Sequence, residues 1–170
     1  AYRSLHINSE AAVTAYEDFP FPEGTPLFPS HAEVRSYLED YARAFGITPR
    51  IRFRTAVTAV EPLPADRWLL RLGDGSTEDV DAVVVATGHQ AEPSHPPFRD
   101  DFAGAYLHVH DYRVPEPFAG KRVLVVGTGN SAMDSAADLA GVAATVAVVP
   151  PSPVPIMPPT LSGLPTAPSL

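Results

Sequence analysis

The chain contains no cysteine, which excludes structural disulfides, Cys-ligated metal sites and any dithiol redox centre. It is also short of positive charge. Twelve Lys and Arg stand against twenty Asp and Glu, for a formal net charge of −8, and no basic stripe is present to meet a nucleic-acid backbone. No apolar run approaches the roughly 18–20 residues that a membrane helix requires, so no transmembrane segment is expected. The opening Ala1-Tyr-Arg-Ser is not a secretory signal and there is no initiating Met. The chain therefore reads as soluble, cytoplasmic and incomplete at its start. Charge disappears altogether from Leu139 to Leu170, and eight prolines fall between Pro150 and Pro168. Such a segment, 150–170, is expected to be extended and poorly ordered. What remains is ample for a core. At 170 residues and 45% hydrophobic, the sequence accommodates one domain or pieces of two.

The most informative stretch is Lys121-Arg-Val-Leu-Val-Val-Gly-Thr-Gly-Asn-Ser-Ala-Met-Asp134. Val123 to Val126 read as a buried strand, and Gly127-x-Gly129-x-x-Ala132 turns directly into an Ala-rich helix ending near Leu139. This is the order of a dinucleotide fingerprint in its strand–turn–helix setting. Gly127 permits a tight turn, and Gly129 has no Cβ to block a pyrophosphate. Ala132 lets helix and strand pack closely, and the helix N-terminus offers N–H groups and a positive dipole end. The competing reading is a glycine-rich turn before an ordinary helix. A second parallel strand is expected at Thr145–Val149.

Upstream, Ala1 to Ser30 is punctuated by Phe and Pro, and Asp18-Phe-Pro-Phe-Pro22 cannot sustain a helix. An extended segment pinned by buried aromatics is expected there. Ser30-His-Ala-Glu33 is a capping box, and Val34, Leu38, Tyr41 and Phe45 share one face of the helix it opens, predicted over 31–45 with Gly46 as its stop. Arg50–Val60 alternates apolar and Arg residues and predicts a strand with one wet face. Arg67–Leu72 and Thr77–Val80 predict a hairpin across Gly73-Asp-Gly-Ser76. Asp81–Ala86 reads as a strand buried on both faces, followed by Thr87-Gly88-His89 and a Pro-broken connector through Pro97 that marks a domain junction.

Four stretches in this order resemble one family. They are Tyr2-Arg-Ser-Leu-His-Ile-Asn8-Ser9 with Asp18-Phe-Pro-Phe-Pro22; Ala86-Thr-Gly-His89; Phe102-x-Gly104-x-x-x-His108-x-x-x-Tyr112-Arg113; and Gly127-x-Gly129-Asn-Ser-Ala-x-Asp134. Together, over roughly residues 1–149, the chain resembles the flavin-containing monooxygenases, the single-component class B flavoprotein monooxygenases. The resemblance implies an α/β fold with two dinucleotide-binding domains. Residues 1–91 would be part of the FAD domain and 92–149 the first βαβ unit of the NADP domain. It also implies a chemistry: NADPH reduces FAD, and the reduced flavin captures O₂ as a C4a-(hydro)peroxide. A soft nucleophile, an amine nitrogen or a sulfide sulfur, then takes the distal oxygen. Asn8 would lie at the active site beside the flavin, with Ser9 next to it. Ala86, Thr87 and Gly88 would form the crossover between domains, and Val57 would face the FAD adenine. Gly127, Gly129, Asn130, Ser131, Ala132, Met133 and Asp134 would hold the NADPH pyrophosphate. His108 admits three readings: half of a metal pair with His110 that lacks a third ligand, a packed interdomain histidine, or the family's motif histidine, which tunes oxygenation.

The Baeyer–Villiger branch of the family usually has Trp where this chain has Tyr112, so Tyr112-Arg113 leans toward N- or S-oxygenation. Two family features are missing from these 170 residues. There is no first G-x-G-x-x-G for the FAD pyrophosphate, and no charged residue about 20 positions beyond Gly127 to read the adenine ribose. NADP rather than NAD is therefore implied by the resemblance alone. The expectation is a fragment of a monooxygenase, inactive alone, with a dinucleotide-binding remnant without chemistry as the competing reading. A disulfide reductase on the same fold is excluded by the missing cysteine.

Overall fold

The computed structural model describes residues 1–88 and 90–150, and the backbone of residues 160–161 and 164–165. The described chain divides into two compact units. One joins Ala1–Tyr41 to Pro93–Leu170, and the other is Ala42–Glu92.

The first unit is built on a βαβ element: β4 (Arg122–Val126), α3 (Asn130–Ala140) and β5 (Thr145–Val149). β4 and β5 pair in parallel with Arg122 opposite Thr145 and Val126 opposite Val149. A parallel pair needs a crossover element, and α3 supplies it, as the sequence predicts. The expectation that β4 is buried needs correction. Val123 and Val125 turn toward the core, whereas Leu124 and Val126 are half exposed. α3 covers one face of the two-stranded sheet, so the strand's alternation splits its apolar residues between covered and open sides.

The core of this unit is Tyr2, Tyr112 and Leu139, with Leu5, Val109, Phe118, Val123, Val125 and Val146 packed around them. The N-terminal segment is pinned by aromatics, as expected. Phe21 stacks on Tyr37 at 4.0 Å between ring centroids, and Phe19 and Tyr16 lean on Tyr37 and Tyr41. The Tyr37 hydroxyl accepts from the Tyr16 amide and donates to the Phe19 carbonyl. Within this segment the sequence gives no sign of the single-turn helix α1 (Ala11–Thr14).

α2 (His31–Ala44) carries the predicted capping box in full. The Glu33 carboxylate accepts from the Ser30 amide and hydroxyl at 2.7 Å, and the Ser30 hydroxyl accepts from the Glu33 amide at 3.3 Å. The helix ends one residue earlier than predicted. The amide of Gly46 (φ 63°) donates to the Arg43 carbonyl and that of Ile47 to the Ala42 carbonyl, which is a Schellman closure. The buried face is rotated from the predicted one: Tyr37 is buried and Leu38 is half exposed. The Phe19–Phe21 aromatics approach Tyr37, and packing on rings of that size outweighs the aliphatic spacing.

The second unit is an antiparallel sheet of β1 (Val57–Leu63), β2 (Arg67–Leu72) and β3 (Thr77–Val80) in that order. The β2–β3 hairpin matches the prediction, with Gly75 at φ 87° and Asp74 accepting from the Ser76 amide. The strand predicted over Arg50–Val60 begins only at Val57. Thr48–Arg50 is a 3₁₀ turn, and Arg54 takes φ 56°, which interrupts the alternation. β1 reaches β2 through residues 64–66, where Ala65 and Asp66 adopt the left-handed region without glycine. Exposed ion pairs, Arg71 with Glu61 and Arg67 with Asp79, run between strands; they help set register and add little stability.

The run Asp81–Ala86 forms no strand, contrary to expectation, and Val84 and Val85 are 89% and 77% exposed. A strand buried on both faces needs neighbours at its edges and layers above and below, which the described residues do not provide. Of the expectation for 150–170, residues 151–159, 162, 163 and 166–170 lie outside the described set; Thr160–Leu161 pairs antiparallel with Leu164–Pro165. No helix among the described residues is long and apolar enough to cross a membrane.

The capping box sets a stability test. Ser30→Ala is expected to cost about 1 kcal/mol in denaturant unfolding, through loss of the reciprocal cap. The Ser30 hydroxyl and then its amide hold the Glu33 carboxyl below its ordinary value. A depressed folded value contributes stability above the unfolded value and loses it as pH falls through the folded one. Acid titration should therefore destabilise the parent chain between those two values, and this component should shrink in Ser30→Ala, where only the residue 30 amide still donates to Glu33. An acid limb that is identical in both proteins would refute it.

Candidate dinucleotide site

The turn between β4 and α3 has the geometry the fingerprint demands. Gly127 lies at φ 124°, a conformation that side chains resist, and its amide donates to the Val149 carbonyl at 2.9 Å, tying the turn to the end of β5. A Cβ built on Gly127 would lie 3.6 Å from the Ala132 Cβ, so the helix runs close against the turn and a larger residue at 132 would press on it. Gly129 is the N-cap, in an extended conformation, and no side chain caps the helix. Its carbonyl accepts from the Ala132 and Met133 amides. The amides of Asn130 and Ser131 then have no intrahelical acceptor, and both residues are exposed. The first turn carries no acidic residue. A Cβ on Gly129 would meet nothing within 4 Å. The result is an uncapped, uncrowded helix N-terminus with its dipole's positive end open, which suits a phosphate group.

Two tyrosines that the sequence had not linked to the helix grip its side. The Tyr2 hydroxyl donates to the Asp134 carboxylate at 2.8 Å, and the Tyr112 hydroxyl donates to Asp138 at 2.6 Å. The two rings pack together at 5.8 Å, and both residues are nearly inaccessible, at 5% and 3% exposure. Burial first, then the Asp134 carboxylate, raises the Tyr2 phenol above its ordinary value, while the Ser131 hydroxyl pulls the other way. Burial and then Asp138 raise Tyr112 likewise. Around them, the Arg3 amide donates to the Arg113 carbonyl and the Arg3 guanidinium pairs with Glu116. The only hint in the sequence was the pair Asp134 and Asp138, four apart on one face of an otherwise Ala-rich helix.

Gly127 to Asp134 are therefore brought together as one element. Asp134 is committed to Tyr2. Asn8 and Ser9 lie in the same unit. Asn8 is exposed, and the Ser9 hydroxyl shares a 2.7 Å hydrogen bond with that of Thr14. His108 caps the 3₁₀ turn Val109–Asp111, its Nδ1 accepting from the His110 amide at 3.1 Å, and its ring meets that of His95 edge-on. In the neutral ring the proton must then sit on Nε2, which leaves that nitrogen as the donor. The exposed Phe102 ring lies over Gly104, its tip 2.5 Å from where a Cβ on residue 104 would stand. Val57, Ala86, Thr87 and Gly88 belong to the other unit. Val57 opens β1, and Ala86–Gly88 are exposed, with Gly88 at φ 71°. His89 lies outside the described residues.

A parallel βαβ unit with this turn has the α/β form of a dinucleotide fingerprint, and the similarity to known proteins narrows its class. A model of the family Flavin-binding monooxygenase-like matches residues 1–157, and the chain belongs to that family. It is 39% identical over 163 residues to flavin-containing monooxygenase FMO GS-OX-like 3 of Arabidopsis thaliana, covering 86% of this chain and 36% of that protein. It is 40% identical over 156 residues to dimethylaniline monooxygenase [N-oxide-forming] 4 of Rattus norvegicus, covering 85% of this chain and 28% of that one. Among solved structures it resembles S-allyl-L-cysteine S-oxygenase from Allium sativum, with TM-score 0.82 and 34% identity, covering 96% of this chain and 40% of that structure. The chain thus spans about a third of the length of the curated relatives it matches. Its α/β architecture is that of the flavin monooxygenases over the part it spans.

The two fingerprint glycines should separate on substitution. Gly127→Ala places a side chain at φ 124° and is expected to cost about 1–3 kcal/mol in urea unfolding. Gly129→Ala, at φ −69° with open space around it, should leave stability within about 0.5 kcal/mol. Equal losses for both would contradict this account of the turn.

Proposed function

We propose that this chain is the nicotinamide-dinucleotide-gripping part of an FAD- and NADPH-dependent monooxygenase that oxygenates an amine nitrogen or a sulfide sulfur. The observation that carries the reading is the uncapped, glycine-bounded N-terminus of α3 in a chain that belongs to this family. In this reading residues 1–91 contribute to the FAD domain and 92–149 begin the NADP domain, with Ala86–Gly88 as the crossover. The names of the relatives, one N-oxide-forming and one an S-oxygenase, favour heteroatom oxygenation over a Baeyer–Villiger reaction.

The described residues fit the nicotinamide dinucleotide at its pyrophosphate. Gly127 and Gly129 leave the approach clear, and the amides of Asn130 and Ser131 supply donors. Ala132 lets the helix run close against the turn, and Met133 is half-buried beside it. They do not make a pyrophosphate site for FAD, because no second glycine-rich strand–turn–helix occurs in the 170 residues. Asn8, Ser9 and Val57 are the residues of this chain assigned to FAD. Bound flavin would supply the redox chemistry and the activation of O₂. What the chain adds is positional: the Asn8 amide, exposed on its loop, can both donate and accept, and His108 presents Nε2–H with its ring held by the cap on Val109–Asp111. Neither group needs to change charge to do this, as expected where the protein's task is to hold hydrogen bonds and exclude water.

Titration calorimetry with NADPH tests the reading. The 170-residue chain is expected to bind NADPH, and Gly129→Ala to weaken that binding about tenfold without unfolding the protein. The chain should not retain FAD through gel filtration. Thioether- or tertiary-amine-stimulated NADPH oxidation is expected from the chain extended to the length of its relatives. Failure of the parent chain to bind NADPH, or stoichiometric yellow flavin on it, would refute the corresponding half.

A further inference from the structure

We infer that Tyr2 is a positioning residue for the dinucleotide site, holding the Asp134 carboxylate aside from the phosphate-facing end of α3. The inference rests on the dinucleotide reading above and adds to it a residue outside the fingerprint. Asp134 lies four positions after Asn130 and three after Ser131, so it sits directly above the two exposed amides. Helical side chains tilt toward the N-terminus, and an unrestrained carboxylate at 134 would lean over the turn where a phosphate must sit. There it would repel the incoming anion, so in this inference Asp134 is not one of the groups that hold the pyrophosphate, as its family match would have it.

The structure holds it elsewhere. The Tyr2 hydroxyl bonds it at 2.8 Å from a ring that is itself fixed by Tyr112 and Leu139. Tyr112 makes the same kind of bond to Asp138, but a full turn further from the open end. The two tyrosines are alike in chemistry and burial and differ in distance from the site, so each serves as a control for the other. Other polar pairs near α3 are Arg3 with Glu116, and His110 with Asp111 on the 3₁₀ turn. Both pairs are internally satisfied, and neither replaces Tyr2 at Asp134.

The test is calorimetric NADPH binding by the full 170-residue chain, with thermal melting of each variant alongside. Tyr2→Phe and Tyr112→Phe keep their rings and should lower Tm by similar amounts. Tyr2→Phe should weaken NADPH binding about three- to tenfold, the effect of one released charge at roughly a helical turn's distance. Tyr112→Phe should stay within twofold. Removing the released charge should restore affinity, so Tyr2→Phe/Asp134→Asn should return to within twofold of the parent. Asp134→Asn alone, which leaves an acceptor for the tyrosine, should bind as tightly as the parent or tighter.

Equal weakening by both tyrosine variants, or a double variant no better than Tyr2→Phe, would reduce Tyr2 to a structural residue and overturn the inference while leaving the dinucleotide reading intact. If Tyr2→Phe does not fold, more than twofold weakening by Asp134→Asn overturns it. A parent chain that binds no NADPH overturns the inference and the reading together.

Discussion

The first unit depends on two tyrosine–carboxylate hydrogen bonds spaced one turn apart along α3. Residues 2 and 134 are 132 positions apart in sequence, yet a 2.8 Å bond joins them. Each bond gives a buried phenol a carboxylate partner at the margin of an apolar cluster, where the phenol could not be left unpaired cheaply. The two rings pack on each other and on Leu139, so the polar bonds and the apolar contact reinforce one geometry. Because the pairs sit at consecutive turns of one helix face, they fix α3's rotation as well as its position. That rotation decides where the free amides of Asn130 and Ser131 point.

This explains why a fingerprint turn that looks self-sufficient in sequence is supported from outside itself. The turn's own contacts are few: the Gly127 amide to Val149, and the close approach of Ala132. No side chain caps the helix, and the Asn130 and Ser131 amides stay open at its end. Stability surrendered at the open end is recovered along the helix flank, where Tyr2 and Tyr112 act and Ser135 bonds back to the Ala132 carbonyl. Function at one end of the helix is thus bought by packing along its length.

What was legible in the sequence was local. The capping box, the Gly46 stop, the β2–β3 turn and the βαβ unit are each written within a dozen residues, and each appears as predicted. What was not legible depended on partners distant in sequence or on unusual backbone. Arg50–Val60 has the alternation of a strand, but Arg54 at φ 56° breaks it, and no composition rule marks an arginine for that region. Ala65 and Asp66 close a hairpin in left-handed conformations where glycine would have signalled a turn. The rotation of α2 onto Tyr37 was set by Phe19 and Phe21, whose approach periodicity within α2 cannot encode. At the site, the glycines were legible because their role is steric and local. The tyrosine grip was not, because hydrogen-bond partners 132 and 26 residues apart leave no periodic trace.

The exposed apolar residues follow the same logic. Val84 and Val85, and the open face of β4 and β5 with Leu124, Val126 and Val149, have the composition of a sheet interior without an interior around them. Apolar content of this kind is retained where further layers cover it, since parallel sheets are stable only with both faces packed. Over the described residues, the α3 side of the sheet is complete and the opposite side is open. The completed side is the one that carries the turn, the uncapped amides and the tyrosine grip. A dinucleotide site of this type needs only a strand, a turn, a helix and whatever fixes that helix's rotation. All four occur among the described residues, and none of them depends on the uncovered face of the sheet.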